Sequence, residues 1–138
     1  MGLLRTIPAL PVADLRLALA GWTSRLGFRA AHVGAGFAVL RRDDAEVHLW
    51  EADDVRWAER ADLAERPVRS GAESFLAGTA SCRIEVAGAD DLAALAAELG
   101  AAEVLHPSHP EVRVTDHGTE ELHALDPDGN LVTFFRWR

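Results

Sequence analysis

Cysteine is almost missing from this chain: Cys82 is the only one in 138 residues. A lone cysteine excludes an intrachain disulfide and any thiolate metal cluster built by one chain. No apolar run approaches the ~20 residues needed to cross a bilayer. The N-terminus also lacks the pattern of a signal peptide, so cytoplasm is the expected compartment and no membrane partner is expected. Basic side chains are outnumbered, 14 against 22 acidic ones, for a net charge of −8. That balance argues against nucleic acid, whose binding needs clustered Lys and Arg, and favours a cationic partner. There is no glycine-rich phosphate loop of P-loop or Rossmann type.

What is present is an ordinary globular composition, 49% apolar and 26% charged. The length suits one domain or two small fused modules. The most informative stretch lies near the end, Leu125-Asp126-Pro127-Asp128-Gly129-Asn130. Pro127 pre-sets φ for the second position of a tight turn and Gly129 can take φ > 0. With strand-like flanks at 121–125 and 131–135, the stretch predicts a hairpin.

The remainder divides into two copies of one unit. In the first, 5–12 predicts an edge strand carrying Pro8 and Pro11. Asp14 caps a helix to about Leu26, with Leu15, Leu19, Trp22 and Leu26 on one face and Gly27 ending it. Strands at 28–33, 37–41 and 46–51 follow, broken by Gly34-Ala35-Gly36 and Asp43-Asp44. Residues 53–78 form a connecting segment with one short helix, containing Val55 and Trp57 and broken by Pro67, Gly71 and Gly78.

In the second unit, 81–86 predicts a strand. An alanine-rich helix at 89–99, capped by Asp90 or a neighbour, is stopped by Gly100. Strands at 102–105 and 112–115 precede the closing hairpin. Val12-Ala13-Asp14 matches Val86-Ala87-Gly88, and Leu26-Gly27 matches Leu99-Gly100. Such repetition marks a duplicated supersecondary unit that cannot bury its apolar face alone. The expected fold is α+β: a single domain of two repeated βαβββ modules, 1–52 and 79–138, joined by 53–78, with curled sheets around a cleft.

Paired βαβββ units, the Leu26-Gly27-Phe28 after the first helix and the closing Asp126-Pro127-Asp128-Gly129-Asn130 resemble the vicinal oxygen chelate (glyoxalase-like) superfamily. Leu10-Pro11-Val12-Ala13-Asp14 and Gly36-Phe37-Ala38-Val39-Leu40 are similar to bleomycin resistance proteins within it. Metalloenzymes of the superfamily hold a divalent ion on four inner strands. The resemblance places those positions at Ile7, His48, Ser81 and Thr133. A cation needs at least three good N or O donors, which these four side chains do not supply. The resemblance therefore implies a non-enzymatic homodimer without cofactor or metal, binding a cationic, bleomycin-type antibiotic, metal-free or metal-loaded, in clefts between subunits. The alternatives are a metal-dependent lyase or dioxygenase with other ligands beside His48, or a binder of another small molecule.

Six residues are the candidates for ligand contact. Phe37 falls where the resemblance places a stacking ring, against an ordinary core role. His32 is on the preceding strand, at a position often aromatic in the family, against a plain exposed role. Trp50 shares a face with His48 and Glu46 by period-2 alternation. Trp57 either packs the connecting segment or lines the cleft. His117 matches a position often occupied by Trp in relatives, against a plain turn role. Trp22 and Trp137 are expected to be structural or dimer contacts. His106-Pro107-Ser108-His109 is a chance spacing rather than a metal pair, and Cys82 is a small apolar group with nothing nearby to activate its thiol.

Overall fold

The structure, a computed structural model, describes residues 2–53, 56–69 and 76–138. The first module contains strand β1 (Ala9–Val12), helix α1 (Leu15–Ser24), and strands β2 (Arg29–Gly34), β3 (Phe37–Arg42) and β4 (Ala45–Glu51). The second contains β5 (Ser81–Glu85), α2 (Ala89–Ala101), β6 (Arg113–Val114), β7 (Thr119–Leu125) and β8 (Leu131–Trp137). Two four-stranded sheets result, ordered β1-β4-β3-β2 and β5-β8-β7-β6, so each first strand crosses over its helix to pair in parallel with the last. Among the described residues no helix is long and apolar enough to cross a membrane.

β1 is an edge strand, as its prolines require. The Pro11 carbonyl points outward, accepting from Gly78 N and Asn130 Nδ2, so the missing Pro11 N–H costs no ladder bond. The strand begins at Ala9 rather than at residue 5, because the ladder starts with His48 N donating to the Pro8 carbonyl. Asp14 accepts from Leu17 N as the N-cap of α1. Gly27, at φ +74°, then lets Phe28 N reach the Trp22 carbonyl.

In the second module three expectations are corrected. Gly100 does not stop α2, which runs to Ala101; Glu103, at φ 59°, makes the left-handed exit instead. The N-cap is Gly88 with no side-chain bond, and Asp90 and Asp91 lie in the first turn, where the helix dipole favours them. The strand expected at 102–105 is reduced to a single bridge between Leu105 and Ala124, flanked by Leu125 N to Val104 O and His106 N to His123 O. The connecting segment holds one 3-10 turn, Trp57–Glu59. Val55 and Gly71 lie outside the described residues.

One apolar core serves both modules. It joins Trp22, Leu40, Val47 and Leu49 of the first to Leu92, Leu99, Leu122, Val132 and Phe134 of the second. Trp22 is fully buried and meets Phe28 edge-on, with centroids 5.1 Å apart. Burying such side chains is worth roughly 1.5–3 kcal/mol each. Polar bonds lock the modules together: Ala13 N donates to Asp128 Oδ1 at 2.8 Å and Trp22 Nε1 to Asp126 Oδ2 at 3.2 Å. Arg42 makes a two-point ion pair with Glu98. With the helices and core on one side, each sheet leaves its opposite face for other work.

Candidate functional site

Strand alternation decides what lies on the open face of the first sheet. On β4, Val47 and Leu49 are buried, which turns Glu46, His48 and Trp50 outward. On β3, Ala38 and Leu40 are buried, which turns Phe37, Val39 and Arg41 outward. Register then sets Phe37 opposite Trp50, Val39 opposite His48 and Arg41 opposite Glu46.

His32 reaches the same face through a bulge. Ala30 pairs with Leu40 but His32 pairs with Val39, so Ala31 is an extra residue. Without it His32 would face Ala38 and point into the core; with it, the imidazole lies 6.2 Å from the Phe37 ring centroid. Phe37 is the hub, with Trp50 at 4.6 Å and His48 edge-on at 5.2 Å. Four of the six candidates thus form one aromatic patch, each ring partly accessible. Such rings offer stacking and cation–π contacts of ~0.5–2 kcal/mol apiece.

Beside the patch, Glu46 is nearly covered by basic partners. Arg41 Nε donates at 2.9 Å, His48 Nε2 lies at 3.1 Å and Arg5 at 3.5 Å. The Arg41 bond holds the Glu46 carboxyl below its ordinary range. The contact engages the Nε2 edge of the His48 ring.

The other two candidates are elsewhere. Trp57 is on the 3-10 turn, half-buried, and has no ring contact with the patch among the described residues. His117 lies in the turn between β6 and β7, with Nε2 3.3 Å from Glu121 and 3.2 Å from the Thr119 hydroxyl. Trp22 is structural, as expected. Trp137 is exposed and packs edge-on against Phe135.

The second sheet's open face carries a polar network that sequence reasoning missed. Glu121 is buried on β7, where it accepts from Arg83 Nη2 at 2.6 Å and from the Thr119 hydroxyl at 2.8 Å. The Arg83 bond, helped by Thr119 and His117, pulls its carboxyl down to about 2 against the cost of burial. His123 Nδ1 pairs with the Thr133 hydroxyl at 2.9 Å, and burial lowers the pKa of this imidazole. The signal available in sequence was period-2 alternation from Thr119 through Glu121 to His123, but pairing with Arg83 needs the parallel crossover of β5 onto β8.

The positions to which the resemblance assigns a metal are Ile7, His48, Ser81 and Thr133. Ile7 is apolar, Thr133 is engaged with His123, and Ser81 pairs with Leu131 on β5–β8. Among the described residues no group of three or more His, Cys, Asp or Glu is arranged to hold an ion. His106 and His109 stand 5.3 Å apart, yet Ser108 N donates to one Nδ1 and Arg113 reaches the other at 2.7 Å. Cys82 is buried on the core side, where burial raises its thiol to about 11. It is no nucleophile at neutral pH.

Two crossed-over βαβββ sheets, each with a helix on one side and an open face on the other, define the class of the glyoxalase/bleomycin resistance/dioxygenase fold. The lactoylglutathione lyase of Agrobacterium tumefaciens superposes with TM-score 0.68 at 16% identity, over 96% of this chain and 92% of that one, a likeness of fold alone. No protein-family profile matches the chain. Over 136 residues, 97% of each chain, it is 43% identical to a bleomycin resistance protein of Geobacillus stearothermophilus, and equally to one of Staphylococcus aureus. The bleomycin-binding protein of Streptomyces verticillus, solved with copper(II)-bleomycin, superposes with TM-score 0.67 at 25% identity over 97% of this chain and 96% of that one. The chain belongs to the bleomycin resistance protein family.

Proposed function

We propose that this protein binds a bleomycin-type glycopeptide and confers resistance by sequestering it, with no chemistry done on the drug. The observation that carries the reading is the patch of Phe37, Trp50, His48 and His32 on the open face of the first sheet. Flat heteroaromatic rings stack on such a patch, and the net charge of −8 suits a cationic tail. Relatives named for bleomycin resistance, and a neighbour solved with the copper(II)-loaded drug, support that ligand class.

In this reading modules 1–52 and 79–138, linked by 53–78, work as one cytoplasmic domain, and His117 and Trp57 join the ligand from the rim. Two copies pair so that the open face of one covers the ligand of the other. Leu3 and Leu4, almost fully exposed on the segment before β1, suit a partner's surface. Titration calorimetry with metal-free and copper-loaded bleomycin tests the function: saturable binding of one drug per chain is expected, and no heat at micromolar drug overturns it. Light scattering tests the pairing, with twice the 14.9 kDa chain mass expected and a monomer at working concentration overturning it.

A further inference from the structure

We propose that Arg83 is a separate ligand contact, a guanidinium platform for an uncharged, planar group rich in hydrogen-bond acceptors, such as a heteroaryl carboxamide. The inference rests on the drug-binding reading above and adds to it a contact on the other sheet, away from the aromatic patch.

Arg83 is on β5 between Cys82 and Ile84, whose side chains turn inward, so its own turns to the open face. Its guanidinium carbon lies 4.5 Å from the Phe135 ring centroid, and one edge donates to Glu121 at 2.6 Å. Glu121 is in turn fixed by Thr119 and His117. Even so, the Arg83 side chain is 48% exposed while Glu121 is 7% exposed. Among the described residues only Glu121 accepts from Arg83. The guanidinium is therefore backed by a ring and pinned at one nitrogen. The rest of the side chain, half exposed, is open to a ligand.

Charge decides what that surface takes. Glu121, with its carboxyl near 2, is ionised at neutral pH and cancels the Arg83 charge, and the chain carries −8 overall. An anion gains little there. A neutral flat group gains stacking on the guanidinium and donation from its N–H groups. Arg83 and Glu46 line one cavity of about 830 Å³ between the modules. Glu46 continues the outward row of His48 and Trp50 on β4. A molecule in that cavity would touch Glu46 of one sheet and Arg83 of the other.

The test is calorimetry of metal-free bleomycin against the wild type, Arg83→Gln, Arg83→Lys and Phe135→Leu, with thermal unfolding of each. Arg83→Lys keeps the ion pair with Glu121, so it remains folded even where Arg83→Gln does not. About tenfold weaker binding is expected for Arg83→Lys and Arg83→Gln alike, because the plane and not the charge is recognised. Phe135→Leu, which frees the plane to tilt, is expected to weaken binding less. Arg83→Lys within twofold of wild type overturns the proposal, as does displacement of the drug by inorganic phosphate in the wild type only. Absence of binding by the wild type itself overturns the drug-binding reading instead.

Discussion

Trp22 donates its indole N–H to Asp126 across 3.2 Å in the buried centre of the molecule, tying the helix of the first module to the hairpin of the second. Asp126 also accepts from Asn130 Nδ2 at 2.9 Å and, at its other oxygen, from the backbone of Asp128 and Asn130. The carboxylate therefore turns the hairpin and anchors the helix together. Trp22→Phe keeps most of the apolar volume and removes one donor. The expected loss is ~1–2 kcal/mol, read by urea unfolding, against ~3–5 kcal/mol for Trp22→Ala. A Phe variant as stable as wild type would remove the indole bond from this account.

Two glycines mark where segments distant in sequence touch too closely for a side chain. A Cβ on Gly21 would run into the Pro127 ring, and one on Gly78 into the Asp128 carbonyl, where φ is also +75°. Gly21→Ala gains helix propensity of up to ~1 kcal/mol but overpacks a stiff ring at ~1–3 kcal/mol, for a small net loss. Gly78→Ala has no such gain and meets backbone, so it is the more damaging of the two. Denaturation midpoints in that order are expected.

The fold was legible in the sequence because local signals agreed with one another. The Asp126-Pro127-Asp128-Gly129 turn, the Asp14 cap, the prolines of the edge strand and the repeat offset all point to paired βαβββ units. The outward row of Glu46, His48 and Trp50 followed from alternation alone. What stayed hidden depends on partners distant in sequence. Nothing near Asp126 says that its carboxylate serves Trp22, 104 residues away. His32 faces the patch only because of an extra residue at Ala31, which composition does not announce. Arg83 and Glu121 meet across 38 residues. At the end of α2 the sequence misled, since Gly100 lies inside the helix and Glu103 makes the turn.

Acid should loosen the second sheet first. The Glu121 carboxyl is drawn from its ordinary 4.5 to about 2, chiefly by Arg83. Its folded pKa is below its unfolded one, so its stabilisation is complete above about 4.5 and is lost as the pH falls towards 2. With Arg83 half exposed to solvent, the loss is roughly 1–2 kcal/mol. Unfolding free energies of wild type and Glu121→Gln measured across that window should converge as the pH drops. Parallel curves would mean that Glu121 carries no linkage.

The aromatic patch gives the sharpest separation of binding from folding. Phe37 and Trp50 are partly accessible and stand outside the shared core, so replacing either with Ala leaves that core intact. A ligand stacked on the patch would lose part of its platform and part of its shielding from water. Bleomycin affinity is therefore expected to fall ~10–100-fold for Phe37→Ala or Trp50→Ala, the range of an interface hot spot. The melting temperature should drop by only a few degrees. Leu17→Ala, on the exposed side of α1, is the control and should bind as wild type does. Phe37 is the hub that touches both Trp50 and His48, so its loss should cost at least as much affinity as that of Trp50. If both alanine variants bind like wild type while remaining folded, the drug lies on some other surface. The open face of the first sheet would then need a different explanation.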